Sequence, residues 1–351
     1  MEAIDELIPG LEKIDVYIAY FLPDDKKDTK TWISYLLTGD TILNPAEIVK
    51  KIGELVKDYG QEWKKIFFSL LLLFLISAIL TSFMEAFKNA GAARLARLLF
   101  ILCELVIVIR IWKSIEAIAQ SSMTQMLEFM KIAVPGFMSC LAATGSITTA
   151  MIFQKLILGM IAVLEAMAVT GTFPLLRMYI AFAVMETVTG EGRFVGMMEL
   201  IKKSIRYLTN ACMVLLSASQ TLQLLITPII DKTNVNLIKK TAAAIPGIGD
   251  LTESVSSITL ASVIAIKNSF GVIILLVLMI MTVTPVIKIF GLLWTLKLSN
   301  AIGMIGGDKE MSHCIEYISE AGFLTLRLMV MLTALFLMTI ALLTNATGGI
   351  G

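Results

Sequence analysis

The pattern of apolar and polar positions changes character near residue 65. Before it, charges are frequent and apolar residues recur at helical spacing. Asn44-Pro45-Ala46-Glu47 predicts a helix start: Asn44 caps, Pro45 suits the first helical position, and Glu47 completes a capping box. The amphipathic run from Ile48 to Tyr59 then leads into Lys64-Lys65, after a polar turn at Asp24, Asp25, Lys26 and Lys27. Residues 1–63 therefore read as a small helical region, soluble or lying on a membrane surface. Beyond it, Ile66–Met84 carries no charge. As a helix it reaches across a hydrocarbon core of about 30 Å.

Leu98–Ile109 is shorter and holds Glu104 between Arg97 and Arg110. It reads as a short span or as a buried interfacial helix. Residues 113–131 predict a surface helix with Met123, Met126, Leu127 and Met130 as its apolar stripe. From Ile132 nearly everything is apolar. Ile132–Gln154 is uncharged but interrupted by Pro135, Gly136 and Gly145. Leu156–Leu176 is interrupted by Glu165 and by Thr170-Gly171-Thr172-Phe173-Pro174. Met178–Val188 is short, residues 191–206 are amphipathic, and Tyr207–Ile230 is a long uncharged stretch. Ser254–Ile266, Asn268–Ile287 with Pro285 inside, Ile289–Leu296 and Leu328–Leu343 follow, with a polar segment at 308–320. The predicted fold is all-α: a polytopic helical membrane protein with about seven spanning helices, within a range of six to nine. Its parts are the region 1–63, first spans and an amphipathic linker over 64–131, and two membrane units over 132–231 and 242–347.

Those two units resemble each other at a shift of 111 positions. Ala133, Pro135, Gly136, Ser146, Ile147, Thr148 and Ala150 fall on Ala244, Pro246, Gly247, Ser257, Ile258, Thr259 and Ala261 without a gap. At the same shift Pro174 falls on Pro285 and Arg177 on Lys288. Shared aliphatics between apolar segments mean little, but prolines, a Pro-Gly pair and a Ser-Ile-Thr triplet at one offset predict an internal repeat. Repeated units with Pro/Gly-interrupted helices often enclose substrate paths. Breaks are tolerable at membrane depth only where protein or water satisfies the freed backbone groups. Pro135-Gly136 and Pro246-Gly247 thus mark a cavity or re-entrant hairpin, or else two ordinary helix starts at the membrane surface.

Composition agrees with the pattern. The chain is 57% hydrophobic and 16% charged, against roughly 45–50% and 25% in soluble domains, and this excludes an ordinary soluble enzyme. Lys+Arg 29 against Asp+Glu 28 leaves no basic field for nucleic acid. Cys103, Cys140, Cys212 and Cys314 are far apart, with no C-x-x-C, so they predict neither disulfides nor a zinc site. His313 is the sole histidine, and neither a zinc-protease nor a P-loop motif occurs. No catalytic, metal-binding or cofactor-binding residue is predicted, and no cofactor.

The remaining chemistry lies in charges within apolar stretches: Glu104, Lys155, Glu165, Arg177, Glu186, Lys267, Lys288 and Lys297. A charge at mid-bilayer costs about 2.5–3.5 kcal/mol on insertion scales, so it faces a partner or water. Glu165 and Glu186 are candidates for a pathway or proton relay, while cations near helix ends snorkel to headgroups. The candidate pathway or helix-break positions are Pro135, Gly136, Glu165, Pro174, Pro246, Gly247, Lys267 and Pro285.

Ala244-Ile245-Pro246-Gly247-Ile248-Gly249-Asp250, Ser257-Ile258-Thr259-Leu260-Ala261, Ile266-Lys267-Asn268-Ser269-Phe270-Gly271 and Pro285-Val286-Ile287-Lys288 resemble the core signature of the stage III sporulation protein AE family. The resemblance covers roughly residues 30–345. It implies a permease-like, multi-pass component of the channel complex joining mother cell and forespore, needed for late forespore development. It implies the mother-cell membrane around the forespore as location. The partners it implies are the other membrane proteins of the same operon, alongside the lipid bilayer, with a homo-oligomer left open. It does not name a transported species. Family members commonly begin with a signal sequence, and the acidic start here (Glu2, Asp5, Glu6) does not read as one. Positive-inside counting narrowly favours a cytoplasmic N-terminus, whereas the family topology places it outside. The competing readings are a non-conducting membrane scaffold and a small-solute transporter unrelated to sporulation.

Overall fold

The computed structural model describes residues 7–21, 28–38, 45–86, 90–144, 147–190, 192–214, 217–218, 221, 249–304 and 309–345, and among these every regular element is a helix. They are α1 (Leu11–Phe21), α2 (Thr29–Thr38), α3 (Pro45–Ala86), α4 (Ala90–Ala143), α5 (Ile147–Glu165), a π-helical segment (Ala166–Thr172), α6 (Phe173–Thr189), α7 (195–214), α8 (Gly249–Gly303) and α9 (Lys309–Asn345).

The centre is built by α4, α8 and α9. Thr282 of α8 meets Thr333 of α9, hydroxyl to hydroxyl at 3.0 Å, and both hydroxyls lie 3.9 Å from the Met126 sulfur of α4. Eleven residues away along each helix, Gly271 lies against Thr344 and Phe137. Eleven residues in the other direction, Leu293 packs on Gly322. Eleven residues are close to three helical turns, so the same face returns to the seam each time. Numbers fall in α8 as they rise in α4 and α9, so α8 runs antiparallel to both. The glycines are small where a large neighbour crosses the seam. Gly271 and Gly322 admit Thr344 and Leu293 at a distance no Cβ would allow.

α3 joins α8 in parallel. The Trp63 indole lies on Gly291 and the Phe74 ring on Gly303. The outer face of α3 keeps Phe68, Leu72, Leu75, Ile79 and Phe83 exposed, a stripe at helical spacing with no protein cover. The described part of residues 1–63 contributes to the same core: Ile8 before α1, Ile14 and Ile18 within it, and Trp32 and Ile33 of α2 are essentially fully buried.

Among the described residues three helical stretches are long and apolar enough to cross a membrane: Ala150–Thr189, Ala261–Gly303 and Met311–Thr344. This is fewer than the seven predicted, and the reason is physical. A break in hydropathy is not a break in a helix. Ser254–Ile266, Asn268–Ile287 and Ile289–Leu296 all lie within the 55-residue α8, which absorbs Lys267, Pro285 and Lys288. Leu156–Leu176 and Met178–Val188 likewise join. At about 1.5 Å per residue, α4 and α8 are each roughly 80 Å long, more than twice a bilayer core. Most of the predicted span Tyr207–Ile230 lies outside the described residues, as do the side chains of Leu80, Thr81 and Met84 within Ile66–Met84.

The interruption expected between Thr170 and Pro174 takes the form of a π-helix. The Phe173 N–H reaches back to Ala168 O, and the Thr172 hydroxyl to Met167 O at 3.1 Å. Proline offers no N–H and its ring crowds the carbonyl four residues earlier, so the preceding turn widens. The sequence correspondence at a shift of 111 is not matched by the element boundaries. α4 ends at Ala143 and α5 begins at Ile147, whereas the positions 111 later lie inside α8. Gly145 has Ser256 as its counterpart, so the second unit lacks the glycine available to the first.

Asp28 starts α2. Its carboxylate accepts the Thr31 N–H at 3.0 Å and the Thr31 hydroxyl, while Asp15 accepts the Thr29 N–H at 2.7 Å. The Thr31 bonds pull the Asp28 pKa below its ordinary 3.8. A lowered carboxylate pKa stabilises the fold above the unfolded value, and that contribution disappears as pH falls through the folded one. Asp28→Ala is expected to cost about 0.5–2 kcal/mol at neutral pH, the usual loss of an N-cap. The difference from the parent chain should close below pH 3.8. Denaturant unfolding across pH measures it; a difference independent of pH would contradict the cap.

Candidate functional site: a charged belt centred on Glu320

Charged and aromatic side chains of six helices pair with one another across the bundle. The hub is Glu320 of α9. Tyr179 of α6 donates its hydroxyl to Glu320 Oε2 at 2.9 Å, Lys202 of α7 pairs with Oε1, and Arg206 of α7 lies 3.9 Å from Oε1. Tyr179 is itself buried, set edge-on to Tyr317 with ring centroids 6.4 Å apart. Two residues before Tyr179, Arg177 crosses to Glu116 of α4 at 2.5 Å. On α8, Lys297 lies over the Phe323 ring at 5.3 Å. Lys288 lies 4.8 Å over Tyr59 and 3.9 Å from Glu62 of α3. About two turns beyond the hub, Arg327 reaches Asn210 of α7 at 3.1 Å.

Local sequence explains the arrangement. On α7, Met198, Ile201, Ile205 and Cys212 turn inward, and Lys202 and Arg206 flank that apolar face one helical turn apart. The turn into α7 is fixed by Glu186, whose two carboxylate oxygens accept the N–H groups of Gly192 at 2.6 Å and Phe194 at 2.9 Å. Gly190 and Gly192 take left-handed φ values of 66° and 72°, which favour glycine. Glu186, a relay candidate on sequence grounds, is here a tie for the α6–α7 turn.

The hub offers a carboxylate flanked by two cations and a phenol, where amphipathic α7 meets α6 and α9, which carry long apolar stretches. Such a cluster can hold helices together and can exchange partners if they move. Among the described residues no group of three His, Cys, Asp or Glu is placed to hold a metal.

The residues singled out in the sequence are dispersed. Pro135 and Gly136 lie within α4, which runs through them to Ala143. Proline removes one hydrogen bond but the rest of the ladder continues, and the Ser139 hydroxyl bonds the Pro135 carbonyl at 3.0 Å. Gly136 lies under the N-terminal segment, with Ile8 and the Pro9 carbonyl above it. Pro174 sits in the first turn of α6, after the π-helix, and Pro285 is buried inside α8. Pro246 and Gly247 lie outside the described residues. Lys267 is fully buried, and its Nζ donates to the Thr344 carbonyl at 3.1 Å in the last turn of α9. Glu165 pairs with Lys131 of α4 at 2.7 Å, with both side chains more than 40% exposed. Exposed pairs contribute about 0–1 kcal/mol. Glu165→Gln is therefore expected to shift stability by less than about 1 kcal/mol in denaturant unfolding. A larger loss would give Glu165 a role beyond this pair.

Sequence reasoning missed Glu320, Tyr179 and Glu116. Glu320 ends the stretch 308–320 that reads as a polar segment, and nothing local separates it from Glu316. Its signal is the phase: Ser319 and Ile318 are fully buried, and Glu320 begins the run that continues into the apolar half of α9.

Comparison with known proteins fixes the lineage. The family model for stage III sporulation protein AE matches residues 27–347. The chain belongs to the stage III sporulation protein AE family. A curated relative, the stage III sporulation protein AE of Bacillus subtilis strain 168, is 18% identical over 326 residues, covering 93% of this chain and 81% of the relative. No solved structure matches. The belt of Glu116, Tyr179, Lys202 and Glu320, and the core layers at Gly271 and Thr282, all fall inside the family match. Sporulation is accordingly the process in which this stage III protein AE relative takes part.

Proposed function

We propose that the chain is an integral, multi-pass, permease-like component of the channel complex linking mother cell and forespore, needed for late forespore development. Family membership over residues 27–347 is the observation that carries the reading. Three apolar helical stretches, of 40, 43 and 34 residues, support a membrane location. The Glu320 cluster supports a role beyond anchoring, because charges between apolar helices are costly unless paired or used. In this reading the protein sits in the mother-cell membrane around the forespore, with other membrane proteins of its operon as partners. The recurrence of Pro174-x-x-Arg177 as Pro285-x-x-Lys288 supports the repeat as part of the design: each cation pairs with a glutamate of an earlier helix, Glu116 and Glu62.

Deletion in a spore former tests the proposal. Heat-resistant spores are expected to be lost with arrest after engulfment, and to return when this chain is supplied. Normal sporulation after deletion would overturn it. Length favours a second reading, a scaffold, because α4 and α8 at roughly 80 Å extend well beyond a bilayer. A scaffold would keep its partners in the membrane when the Glu320 cluster is broken, and sporulation would continue.

A further inference from the structure

Two exposed apolar stripes run along α3 and α4, and both give way to cations. On α3 the stripe is Phe68, Leu72, Leu75 and Ile79, each more than half exposed. On α4 it is Leu99, Leu102 and Val106, also more than half exposed. Glu104, the charge within this part of α4, is fully buried and so lies off the stripe. The change of chemistry keeps the helical phase. Lys64 and Lys65 precede Phe68 by one turn, Arg110 and Lys113 follow Val106 by one and two turns, and all four are exposed.

The four cations stand at matching depths. α3 runs parallel to α8 and α4 runs antiparallel to it, so α3 and α4 form a hairpin, and the two helices touch. Lys65 and Arg110 each lie about twenty residues from the helix ends at Ala86 and Ala90, roughly 30 Å. That is about the thickness of a hydrocarbon core. Carboxylates close by in sequence are already engaged: Glu62 lies 3.9 Å from Lys288, and Glu116 meets Arg177 at 2.5 Å. Among the described residues no carboxylate pairs with Lys64, Lys65, Arg110 or Lys113. A stripe of this depth suits acyl chains, and a cation cluster at its base suits lipid phosphates. An apolar partner helix would cover the stripe but leave the four cations unanswered.

We propose that the α3–α4 hairpin enters the bilayer by this stripe and that Lys64, Lys65, Arg110 and Lys113 form a binding site for anionic phospholipid headgroups. The proposal rests on the membrane location read above, not on the channel role.

The test titrates the full-length chain in detergent with phosphatidylglycerol or phosphatidylcholine and counts bound lipids by native mass spectrometry. The first phosphatidylglycerol is expected to bind at least about fivefold more tightly, as one cation near a headgroup implies. A chain carrying Lys64→Gln, Lys65→Gln, Arg110→Gln and Lys113→Gln should bind the two lipids alike. A control with Gln at Lys13, Lys131 and Lys203, exposed cations off the stripe, should keep the preference. Equal binding by the parent chain would overturn the site, as would a preference that survives the fourfold change or is lost in the control. Cys103 reads insertion, because it is exposed on α4 while Cys140, Cys212 and Cys314 are buried. In phosphatidylcholine vesicles a polar maleimide should label it at least about tenfold more slowly than in denaturant. Equal rates, or cross-linking of Cys103 between two copies, would overturn the lipid as occupant. A chain that does not enter the vesicles at all would contradict the membrane location and the proposal with it, whereas lost lipid preference alone overturns only the proposal.

Discussion

Gly271→Leu is expected to destabilise the protein by about 3 kcal/mol. A Cβ at Gly271 would overlap the Thr344 side chain and stand 3.1 Å from Phe137. Neither neighbour can retreat. Thr344 is in the last turn of α9, whose carbonyl holds Lys267, and the Phe137 ring is fully buried. Overpacking a well-filled core costs about 1–3 kcal/mol, and this site is closed on two sides, so the upper end applies. Gly159→Leu is the control, because nothing lies within 4 Å of a Cβ there. In a helix that substitution should be neutral or favourable by up to about 1 kcal/mol. Denaturant unfolding of both variants in one detergent separates the seam from a general effect of losing glycine. Equal behaviour would show that α8 and α9 do not meet at this layer.

The second large effect is expected at Glu320. Replacing it by alanine leaves the Tyr179 hydroxyl and the Lys202 ammonium without their acceptor. Unpairing a buried polar group costs about 1–3 kcal/mol. The charges are partly exposed, 25% for Lys202 and 31% for Glu320, so the ion pair itself adds less than a buried one would. The expected effects are therefore asymmetric. Glu320→Ala should cost more than Lys202→Met, because only the first strands Tyr179. A double-mutant cycle for Glu320 and Lys202 should show a coupling of about 0.5–3 kcal/mol. Additive behaviour would mean that α7 is held to α9 by its apolar face alone.

Class and composition were legible in the sequence: every described regular element is helical, and apolar residues dominate after residue 65. The predicted start at Pro45 matches α3, and the stretch around Pro174 marks the π-helix. Span number was not legible. Apolar runs separated by Lys267 or Pro285 look like separate spans in one dimension, yet they continue as one helix when a packed partner covers each interruption. Pro135-Gly136 drew notice as a break. Its glycine instead accommodates a segment more than a hundred residues earlier in the chain, which spacing alone cannot show. Glu320, Tyr179 and Lys202 come from three helices, and their convergence is tertiary. The clue available was phase: each sits beside a buried position on its own helix.

If this stage III protein AE relative works through the charged belt between its membrane helices, the signs of the belt's charges must matter in the cell. Charge reversal tests that most directly, with heat-resistant spores counted in a deletion strain carrying Glu320→Lys, Lys202→Glu or both. Each single reversal should lower spore counts toward the deletion strain, and the double reversal should recover a large part of the loss. Single reversals that sporulate like the parent chain would contradict a working role for the belt.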